Sequence, residues 1–478
     1  MKKNQKDKIA HVTKLLAKQK IRNVKELDSY KLSICHPASA GIDLGSREIY
    51  VAINPQIAAE LDLPIVQKFS TYTSGLEACR DLLLDCGVTT VAMESTSVYW
   101  MNLCDILEAA GIEVCLVNPK KFRMVPGRKT DVLDCQWLQT LHLYGLLSGS
   151  FIPQGNIRQL RSYMRQRENI LQDRTRYVLR MQKAMIRMNL MLVNVIDDIT
   201  GKTGTAIIES ILQGERNPYR LASLRDGRVK KSEEEIAEAL QGDYKEDQLF
   251  LLKTNYDTYC FFSKQLEELD QQIAALLKLF PQKQKEEKND MLPKKEKSKP
   301  KKSRGKNDLR TKENLDAILL NITGTDLTSI TGLQANTILQ IISEVGTDMS
   351  KFPTAKHFAS YLGFTPHNKI TGGVIISSKT DRIKSHAAQA FKKVIPSISR
   401  GKTALASFYH RIAAKSGTGK AVVAVCRKLA MIFYNTLYYG KEYIEQGQNQ
   451  YKKKLEEKEK YLLAKLAKKH NLIITEGG

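Results

Sequence analysis

The apolar and polar positions from Ala38 onward alternate in short runs that are separated by turn residues. "AGIDLGSREIYVAINP" predicts two antiparallel strands joined at Gly45-Ser46, and "IVQKFSTYT" predicts a third strand. A helix over about Ser74 to Asp85 follows, and then a strand in "TTVAMEST", a helix in "VYWMNLCDILEAAG", a strand in "IEVCLVNP" and a helix in "TDVLDCQWLQTLHLYGLL". This order predicts a mixed α/β sheet of the ribonuclease H type.

The periodicity changes near residue 157, where two long helical patterns begin. Residues 157–195 and 248–280 place apolar positions on one helical face, and we expect the two helices to pair antiparallel. Residues 282–312 are Lys-rich and broken by proline, which predicts a disordered linker. Beyond it, "ITGLQANTILQIISEVGTDMSKFPTAKHFASYLGF" has the spacing of a helix, a Gly turn and a helix. Its start resembles a helix-hairpin-helix, although Gln334 stands where a second glycine is usual.

These patterns predict the domain organisation and the overall class, which is α/β plus α. The predicted segments are a basic N-terminal extension (1–37), an α/β domain (38–150), a helical coiled-coil region (151–281), a disordered linker (282–312), a mostly helical C-terminal domain (313–445) and a charged helical tail (446–478). A chain of 478 residues exceeds one ordinary hydrophobic core, so several domains are expected.

The composition and net charge of the chain indicate which classes of partner it binds. A formal charge of +24 attracts polyanions, which makes nucleic acid the leading partner and an acidic membrane surface the rival. No apolar run is expected to span a membrane, and the first residues lack the apolar core of a signal peptide, so we predict a cytoplasmic protein. The eight cysteines form no CxxC pair, which argues against a zinc site and a disulfide framework.

Four carboxylates occupy particular positions in the α/β domain. They are Asp43 in the first strand, Glu94 at the end of "VAMES", and Asp131 and Asp134 one turn apart on the last helix. A charge in an apolar strand is costly to bury unless it is paired or binds metal. Since Ile42 and Leu44 share one face, Asp43 is expected on the other, where Gly41 and Gly45 leave room for a ligand.

Carboxylates in this pattern suit divalent-metal chemistry. Two Mg²⁺ ions about 3.5 to 4 Å apart assist in-line attack on phosphorus, and hard cations prefer carboxylate oxygen. The i, i+3 spacing puts Asp131 and Asp134 on one side of the helix, beside a stripe of Leu133 and Trp137 that is expected to dock it. The sequence therefore predicts an Mg²⁺ or Mn²⁺ site formed by the four acids.

Each acid also has a simpler interpretation. Asp131 suits the first turn of a helix capped by Thr130, where an acid is worth roughly 0.3 to 1 kcal/mol. Considered by itself, Glu94 is interpreted as a strand-end residue that faces water. Considered by itself, Asp43 is interpreted as part of an Asx turn into Gly45. Because a sheet of the predicted type brings all four acids together, their joint placement favours the site.

A second candidate site lies in "PHNKITGGVIISSKTDRIKSHAAQAFKKV". A hydroxyl there attacks phosphorus if its proton is removed and the phosphate charge is offset, and otherwise the loop binds phosphate without a covalent role. The hydroxyls are Thr371, Ser377 and Ser378, and the basic neighbours are Lys369, Lys379, Arg382 and Lys384. Further predicted nucleic-acid contacts are Arg128 and Lys129 before the acidic helix and Arg161 and Arg165 on the long helix, whose alternative is a solvated coiled-coil face.

The motifs "GIDLGSREIYVAI", "VAMESTSVYW", "VNPKKFRMVPGRKTDVLDCQWLQTL" and "YLGFTPHNKITGGVIISSKTDR" together resemble the DEDD transposases of the IS-one-ten insertion-sequence family, relatives of the pilin-gene invertases. The resemblance covers about residues 38 to 445. It implies a RuvC-like nuclease domain, a helical coiled-coil segment and a C-terminal transposase domain with a nucleophilic serine. It also implies a structured non-coding bridge RNA that pairs with DNA, and an oligomer, either dimer or tetramer.

Carried onto this sequence, the resemblance makes Asp43, Glu94, Asp131 and Asp134 the four metal-binding acids. The family serine precedes a Gly-Gly or Ala-Gly pair, and here Thr371 precedes Gly372-Gly373. Three readings follow: a hindered threonine nucleophile, a substitute serine at position 377 or 378, or an impaired copy. We predict Thr371 as the nucleophile, with Ser377 as the fallback.

Three functional hypotheses remain at this point. The first is a transposase or site-specific DNA recombinase that forms a covalent protein–DNA link. The second is a Holliday-junction endonuclease in which metal-activated water cuts the strand and no such link forms. The third is an RNA- or DNA-binding protein without catalysis, in which the acids are relics.

Overall fold

The structure is a computed structural model, and its residues fall into two compact units, Met1–Ile152 and Pro153–Gly478. It describes residues 33–95, 97–118, 130–153, 155–283, 305, 307–311, 314–366, 368–380, 385–401, 403–440, 457, 460–464 and 467. The predicted N-terminal extension lies outside the described residues up to position 32. Most of the predicted tail also lies outside them, and its described residues are helical.

The first unit contains five strands and four helices among its described residues. They are β1 (Ser39–Leu44), β2 (Glu48–Ile53), α1 (Pro55–Glu60), β3 (Val66–Ser70), α2 (Thr73–Asp85), β4 (Thr90–Glu94), α3 (Trp100–Ala109), β5 (Glu113–Val117) and α4 (Asp131–Leu143). The predicted order of strands and helices is confirmed, with one addition. Helix α1 was missed, although Asn54 caps it by accepting from Gln56 N and Pro55 occupies its first turn, a recognisable start signal.

The strands form one mixed sheet in the order β3-β2-β1-β4-β5. Strands β1, β2 and β3 pair antiparallel, whereas β4 pairs parallel to β1 and β5 pairs parallel to β4. The predicted hairpin at Gly45-Ser46 is confirmed, since the Gly45 N–H donates to the Glu48 carbonyl at 2.9 Å. This arrangement puts β1 at the centre of the sheet, between an antiparallel and a parallel neighbour.

The two faces of the sheet differ because alternate residues of each strand point to opposite sides. Ala40, Ile42 and Leu44 of β1 join a buried core with side chains of α2 and α3. The intervening residues Gly41 and Asp43 point to the other face, where α4 lies across β1. The sequence expectation that Asp43 points away from Ile42 and Leu44 is therefore confirmed.

The second unit is helical apart from one short hairpin, within the described residues. Its elements are α5 (Asn156–Arg187), α6 (Lys202–Leu212), α7 (Pro218–Ala222), α8 (Glu233–Ala239), α9 (Glu246–Lys278), α10 (Leu315–Thr323), α11 (Ala335–Val345), α12 (Ala355–Tyr361), β6 (Lys369–Thr371), β7 (Val374–Ser377), α13 (His386–Lys393), α14 (Ile395–Ser399), α15 (Ala404–Ser416) and α16 (Thr418–Tyr439). Single 3-10 turns occupy Leu192–Asn194 and Leu327–Ser329.

The two long helices pack antiparallel, as the sequence predicted. The Asn156 side chain at the start of α5 donates to the Leu279 carbonyl just past α9, at 3.2 Å. Midway, Arg167 bonds Asp270 at 2.6 Å. Towards the other end, a buried cluster that includes Met181, Met185 and Leu252 joins the pair to α6, α7 and α8. The two long helices therefore pack against shorter helices of the second unit and do not form an isolated coiled coil.

The predicted linker ends earlier than expected. Residues 284–304 lie outside the described residues, but 307–311 pack on the helical pair. Leu309 is 2% exposed, and the Arg310 backbone N–H donates to Asp270 at 2.9 Å. The Lys-rich composition did not predict this contact, because the packing depends on one leucine and on backbone groups.

The C-terminal part contains the predicted helix, Gly turn and helix as α11, Gly346 and α12. The helix-hairpin-helix resemblance is not matched by two full helices, because only the single 3-10 turn precedes Gly332 and α11. The expectation that no apolar run is long enough to span a membrane is corrected by α16. In the described part of the chain this one helix has the length and composition to do so, but half of it is buried, as in a core helix.

Candidate functional site

Asp43 and Glu94 lie on neighbouring strands at the face of the sheet that α4 covers. The parallel register pairs Gly41 with Ala92 and Ile42 with Met93, so the next pair along the strands is Asp43 beside Glu94. Met93, like Ile42, belongs to the opposite core. Alternation therefore puts both carboxylates on one face, as the sequence predicted, because each follows a buried apolar residue.

Helix α4 brings Asp131 and Asp134 to this face. Thr130 caps the helix, accepting from the Leu133 N–H at 3.3 Å, so the expected cap is confirmed. Both aspartates belong to the first turn, and Asp134 is buried while Asp131 is exposed. Carboxylates in that turn are also favoured by the helix dipole, so the cap and the site are compatible roles.

Gly41 allows the close approach of α4. A Cβ added at Gly41 would collide with the Cys135 carbonyl oxygen and with the backbone of Gln139. The sequence expectation that Gly41 leaves room for a ligand is therefore wrong, since the helix backbone fills that space. The glycine instead sets the distance between β1 and the helix that carries two of the acids.

The expected docking stripe of α4 is also corrected. Leu133 is 42% exposed, and Trp137 is only partly buried. The helix docks through an adjacent face, where a mixture of polar, small and apolar side chains is buried: Asp134, Cys135, Leu138, Gln139, His142 and Leu143. Close packing on Gly41 favours such residues over the large apolar stripe, so the apolar pattern gave the wrong face.

The electrostatic environment of Asp43 links all four acids. Burial and the neighbouring carboxylates of Glu94, Asp131 and Asp134, in that order, raise the pKa of Asp43 to about 6. A carboxylate that is partly desolvated among like charges favours its neutral form unless a cation offsets the charge. The four acids are thus close enough to act on one another, and perturbed pKa values of this kind cluster at functional sites.

The donor chemistry of the four acids suits a hard divalent cation, since all four supply carboxylate oxygen. Within the described ranges, no group of three or more His, Cys, Asp and Glu side chains is placed so that it could hold a metal ion as it stands. The carboxylates are therefore neighbours without being a closed cage. Residues 119–129, which join β5 to α4 and include Arg128 and Lys129, lie outside the described residues.

The predicted hydroxyl nucleophile lies at the tip of the β6–β7 hairpin in the second unit. Thr371 pairs with Val374 across Gly372 and Gly373, whose φ values of 57° and 80° suit a tight turn that favours glycine. Thr371 is exposed, whereas Ser377, opposite Lys369 near the other end of the hairpin, is half-buried. Ser378 follows β7 and is exposed.

The predicted nucleic-acid contacts divide into three groups. Lys369 and Lys379 are exposed on and beside the hairpin, while Arg382 lies outside the described residues, as does Lys384. Arg161 and Arg165 point into the fold, and both bond Glu344 of α11, Arg165 with two bonds of 2.7 and 2.9 Å. These ion pairs give Arg161 and Arg165 a structural role, and their contact with nucleic acid stays a prediction that we do not carry further.

Two protein-family models match the chain, one over the residues that include the four acids and one over the residues that include the β6–β7 hairpin. A family model for DEDD transposases of the IS110 group matches residues 40–189, which include the four acids. A second model, described as a transposase of the IS116/IS110/IS902 family, matches residues 324–409, which include the hydroxyl-bearing hairpin. No curated protein matches the chain at a significant level.

Transposase models on both units define the class of protein as a DNA transposase, an enzyme that cuts and rejoins DNA strands. Both models describe transposases of the IS110 group, the IS-one-ten family that the sequence motifs resemble, and the matches are consistent with an IS110 transposase.

Proposed function

We propose that this transposase cleaves and joins DNA with a divalent cation held by Asp43, Glu94, Asp131 and Asp134 and with the hydroxyl of Thr371 as the nucleophile. The observation that carries the proposal is that Asp43 and Glu94 lie on neighbouring strands at the face of the sheet on which α4, with Asp131 and Asp134 in its first turn, packs. Burial and the other three acids raise the pKa of Asp43 to about 6, which supports this placement. The sheet order β3-β2-β1-β4-β5 supports a RuvC-like, ribonuclease H-type fold for this unit. The antiparallel α5–α9 pair supports a coiled-coil segment in the second unit.

The acids act by position and charge. Asp43 and Glu94 are fixed by the sheet, and Asp134 is fixed by the packing of α4 on Gly41. Bound Mg²⁺ or Mn²⁺ supplies Lewis-acid stabilisation of charge at the scissile phosphate. The carboxylates offset the charge of that cation, and their mutual repulsion falls when it binds.

The hydroxyl acts by attack on phosphorus. The Thr371 Oγ1–P bond forms as the P–O3′ bond breaks, and the departing 3′ oxygen takes up a proton. The product is a 5′-phosphate linked to the threonine. Attack by a 3′-hydroxyl of a second strand then breaks that link, joins the strands and restores the threonine hydroxyl. The exposed position of Thr371 beside two glycines gives a DNA backbone access to it.

The partners of the proposal are DNA, a structured guide RNA and further copies of the chain. The guide RNA and the dimer or tetramer rest on the family resemblance, and a cytoplasmic location stays a prediction. The net charge of +24 suits both nucleic acids.

The acids are tested with a donor plasmid that carries the coding sequence and its natural flanks. Asp43→Asn and Asp134→Asn should lower formation of the excised junction at least about 1000-fold, because transition-state charge is no longer stabilised. Glu113→Gln is the matched control, since this exposed acid begins β5 in the same sheet. Normal excision by a soluble, folded Asp43→Asn or Asp134→Asn variant would refute the metal site.

The nucleophile is tested by trapping protein–DNA adducts that resist detergent. Thr371→Ala should abolish the adduct, Thr371→Ser should keep it, and Ser377→Ala should leave it unchanged. An adduct that persists in Thr371→Ala and disappears in Ser377→Ala moves the role to Ser377. Strand cutting by the wild type without any adduct would instead indicate the endonuclease that uses metal-activated water.

A further inference from the structure

The second half of α5 carries four cations on one face. Arg176, Arg180, Lys183 and Arg187 are spaced by four, three and four residues, and all four are exposed. At 3.6 residues per turn, this spacing aligns them along one stripe about 16 Å long. We call these four residues the α5 stripe.

In the first half of the same helix, the arginines contact residues of other elements. Arg165 bonds Glu344, Arg167 bonds Asp270 at 2.6 Å, and Arg174 donates to the Asn307 side chain at 2.7 Å. These guanidinium groups hold other elements against α5. The stripe begins where those contacts end, so the packing of the second unit does not account for it.

The charges of the stripe are largely uncompensated. Arg176 pairs with Asp173 at 2.7 Å and remains 66% exposed, and Arg180 lies 4.8 Å from the centre of the Tyr177 ring. Across the described part of the chain, no carboxylate forms an ion pair with Arg180, Lys183 or Arg187.

Some other exposed cations of this unit are paired. Lys202 and Arg228 both contact Asp226, at 3.0 and 2.8 Å, and Lys231 contacts Glu235 at 2.7 Å. The stripe differs from these cations because its charges are aligned in one row along a single helix and largely lack such partners. An uncompensated row of cations is the electrostatic signature of a surface for a polyanion.

We infer that the α5 stripe binds the phosphate backbone of duplex DNA through residues that are not part of the proposed cleavage site. Duplex DNA carries one negative charge per about 1.7 Å of its axis, so a duplex that lies along the stripe has more than enough phosphates for each of the four cations to contact one. Leu179 and Ile186, exposed along one edge of the stripe, suit the apolar edges of deoxyribose. The inference depends on the transposase assignment and not on the metal site or on Thr371.

The test measures binding of the full chain to a fluorescent 30-base-pair duplex of random sequence over a range of salt concentrations. The triple variant Arg180→Gln, Lys183→Gln, Arg187→Gln should weaken binding at least about tenfold. It should also lower the slope of log affinity against log salt by about two to three, because each lost phosphate contact removes nearly one released counterion.

The matched control is Lys202→Gln, Arg228→Gln, Lys231→Gln, which removes the same charge from cations that are already paired. It should change the affinity less than about threefold and leave the salt slope unaltered, since neutralised cations release few counterions. Equal weakening by both triple variants would overturn the inference, because net charge alone would then explain the binding.

Two further outcomes decide between DNA and other occupants. Loss of affinity for a duplex RNA of the same length, with unchanged affinity for DNA, would overturn the assignment to DNA. A changed sedimentation coefficient of the stripe variant, with unchanged DNA affinity, would assign the face to a second copy of the chain. Single-turnover cleavage at saturating DNA should stay within about twofold of wild type, which separates this site from failure of the acids or of Thr371.

Discussion

Carboxylates in the two units have opposite surroundings. In the second unit, Glu168 contacts Lys393 at 2.6 Å and His386 at 3.4 Å. Burial raises its pKa, but these basic neighbours outweigh burial, so the pKa of Glu168 lies below its ordinary value. In the first unit, burial and three other acids raise the pKa of Asp43 to about 6.

This difference separates structural charges from functional ones. Glu168, Glu344 and Asp270 each meet a cation from another element, so their charges join helices of the second unit. Asp43 instead lies among charges of its own sign, which destabilises the fold unless a cation from outside is bound. The first arrangement is complete within the chain, and the second is the one to which we assign a cation in the proposed function.

The largest effect on stability is expected at Glu344 in the second unit. Glu344→Ala should lower the free energy of unfolding by about 3 to 5 kcal/mol, because it removes the carboxylate that offsets the charge of the largely buried Arg161. Chemical denaturation measures the change. Glu267→Ala is the control, since its ion pair with Arg310 is exposed, and its loss should cost less than about 1 kcal/mol. Equal costs at the two positions would contradict the structural role of Glu344.

A smaller effect is expected at Gly41 in the first unit. Gly41→Ala should cost about 1 to 3 kcal/mol of unfolding free energy, because the added methyl group must push α4 away from β1. It should also lower excision, although it removes no acid. Gly227→Ala is the control, since nothing lies within 4 Å of the added Cβ there. Wild-type excision by Gly41→Ala would show that the spacing between helix and sheet does not matter.

The smallest effect on stability has the opposite sign. Asp43→Asn, measured without metal at pH 8, should raise the unfolding free energy by about 1 to 2 kcal/mol. Each pKa unit corresponds to about 1.4 kcal/mol, and the expected gain is smaller than the full shift implies because the side chain is partly exposed. A folded-state pKa raised from 3.8 to about 6 destabilises the fold fully above pH 6, and the penalty disappears as the pH falls towards 4.

The gain from Asp43→Asn should therefore be small near pH 4 and vanish below the unfolded-state pKa of 3.8, where the wild-type carboxyl is protonated in both the folded and the unfolded state. Thermal or chemical unfolding at several pH values checks the trend. Glu113→Gln should produce neither the gain nor the change with pH. A loss of stability in Asp43→Asn at pH 8 would indicate that Asp43 has a structural partner.

The sequence predicted the order of strands and helices in the sheet and the face on which Asp43 lies, because both depend on local patterns. Alternation fixed the face of Asp43, and Thr130 identified the start of the acidic helix. The docking face of α4 was predicted wrongly because helix packing on Gly41 depends on distances across the sheet. The roles of Arg161 and Arg165 also depend on a distant residue, Glu344, which lies about 180 positions along the chain and which no local pattern identifies.

The sequence placed Thr371 beside its two glycines, and the structure adds that this residue is exposed at a hairpin tip. The cationic stripe was not separated from the rest of the Arg-rich helix, because composition does not reveal which arginines are paired. Only the contacts of each guanidinium group divide α5 into a structural half and an exposed half.

The most direct test of the central claim is Mn²⁺ binding measured by titration calorimetry at pH 8 on the full chain. We predict saturable binding by the wild type and by Glu113→Gln, and loss of that binding in Asp43→Asn and Asp134→Asn, because the oxygen ligands of the cation are removed. Unchanged Mn²⁺ binding by folded Asp43→Asn and Asp134→Asn would contradict the claim that these carboxylates form the metal site.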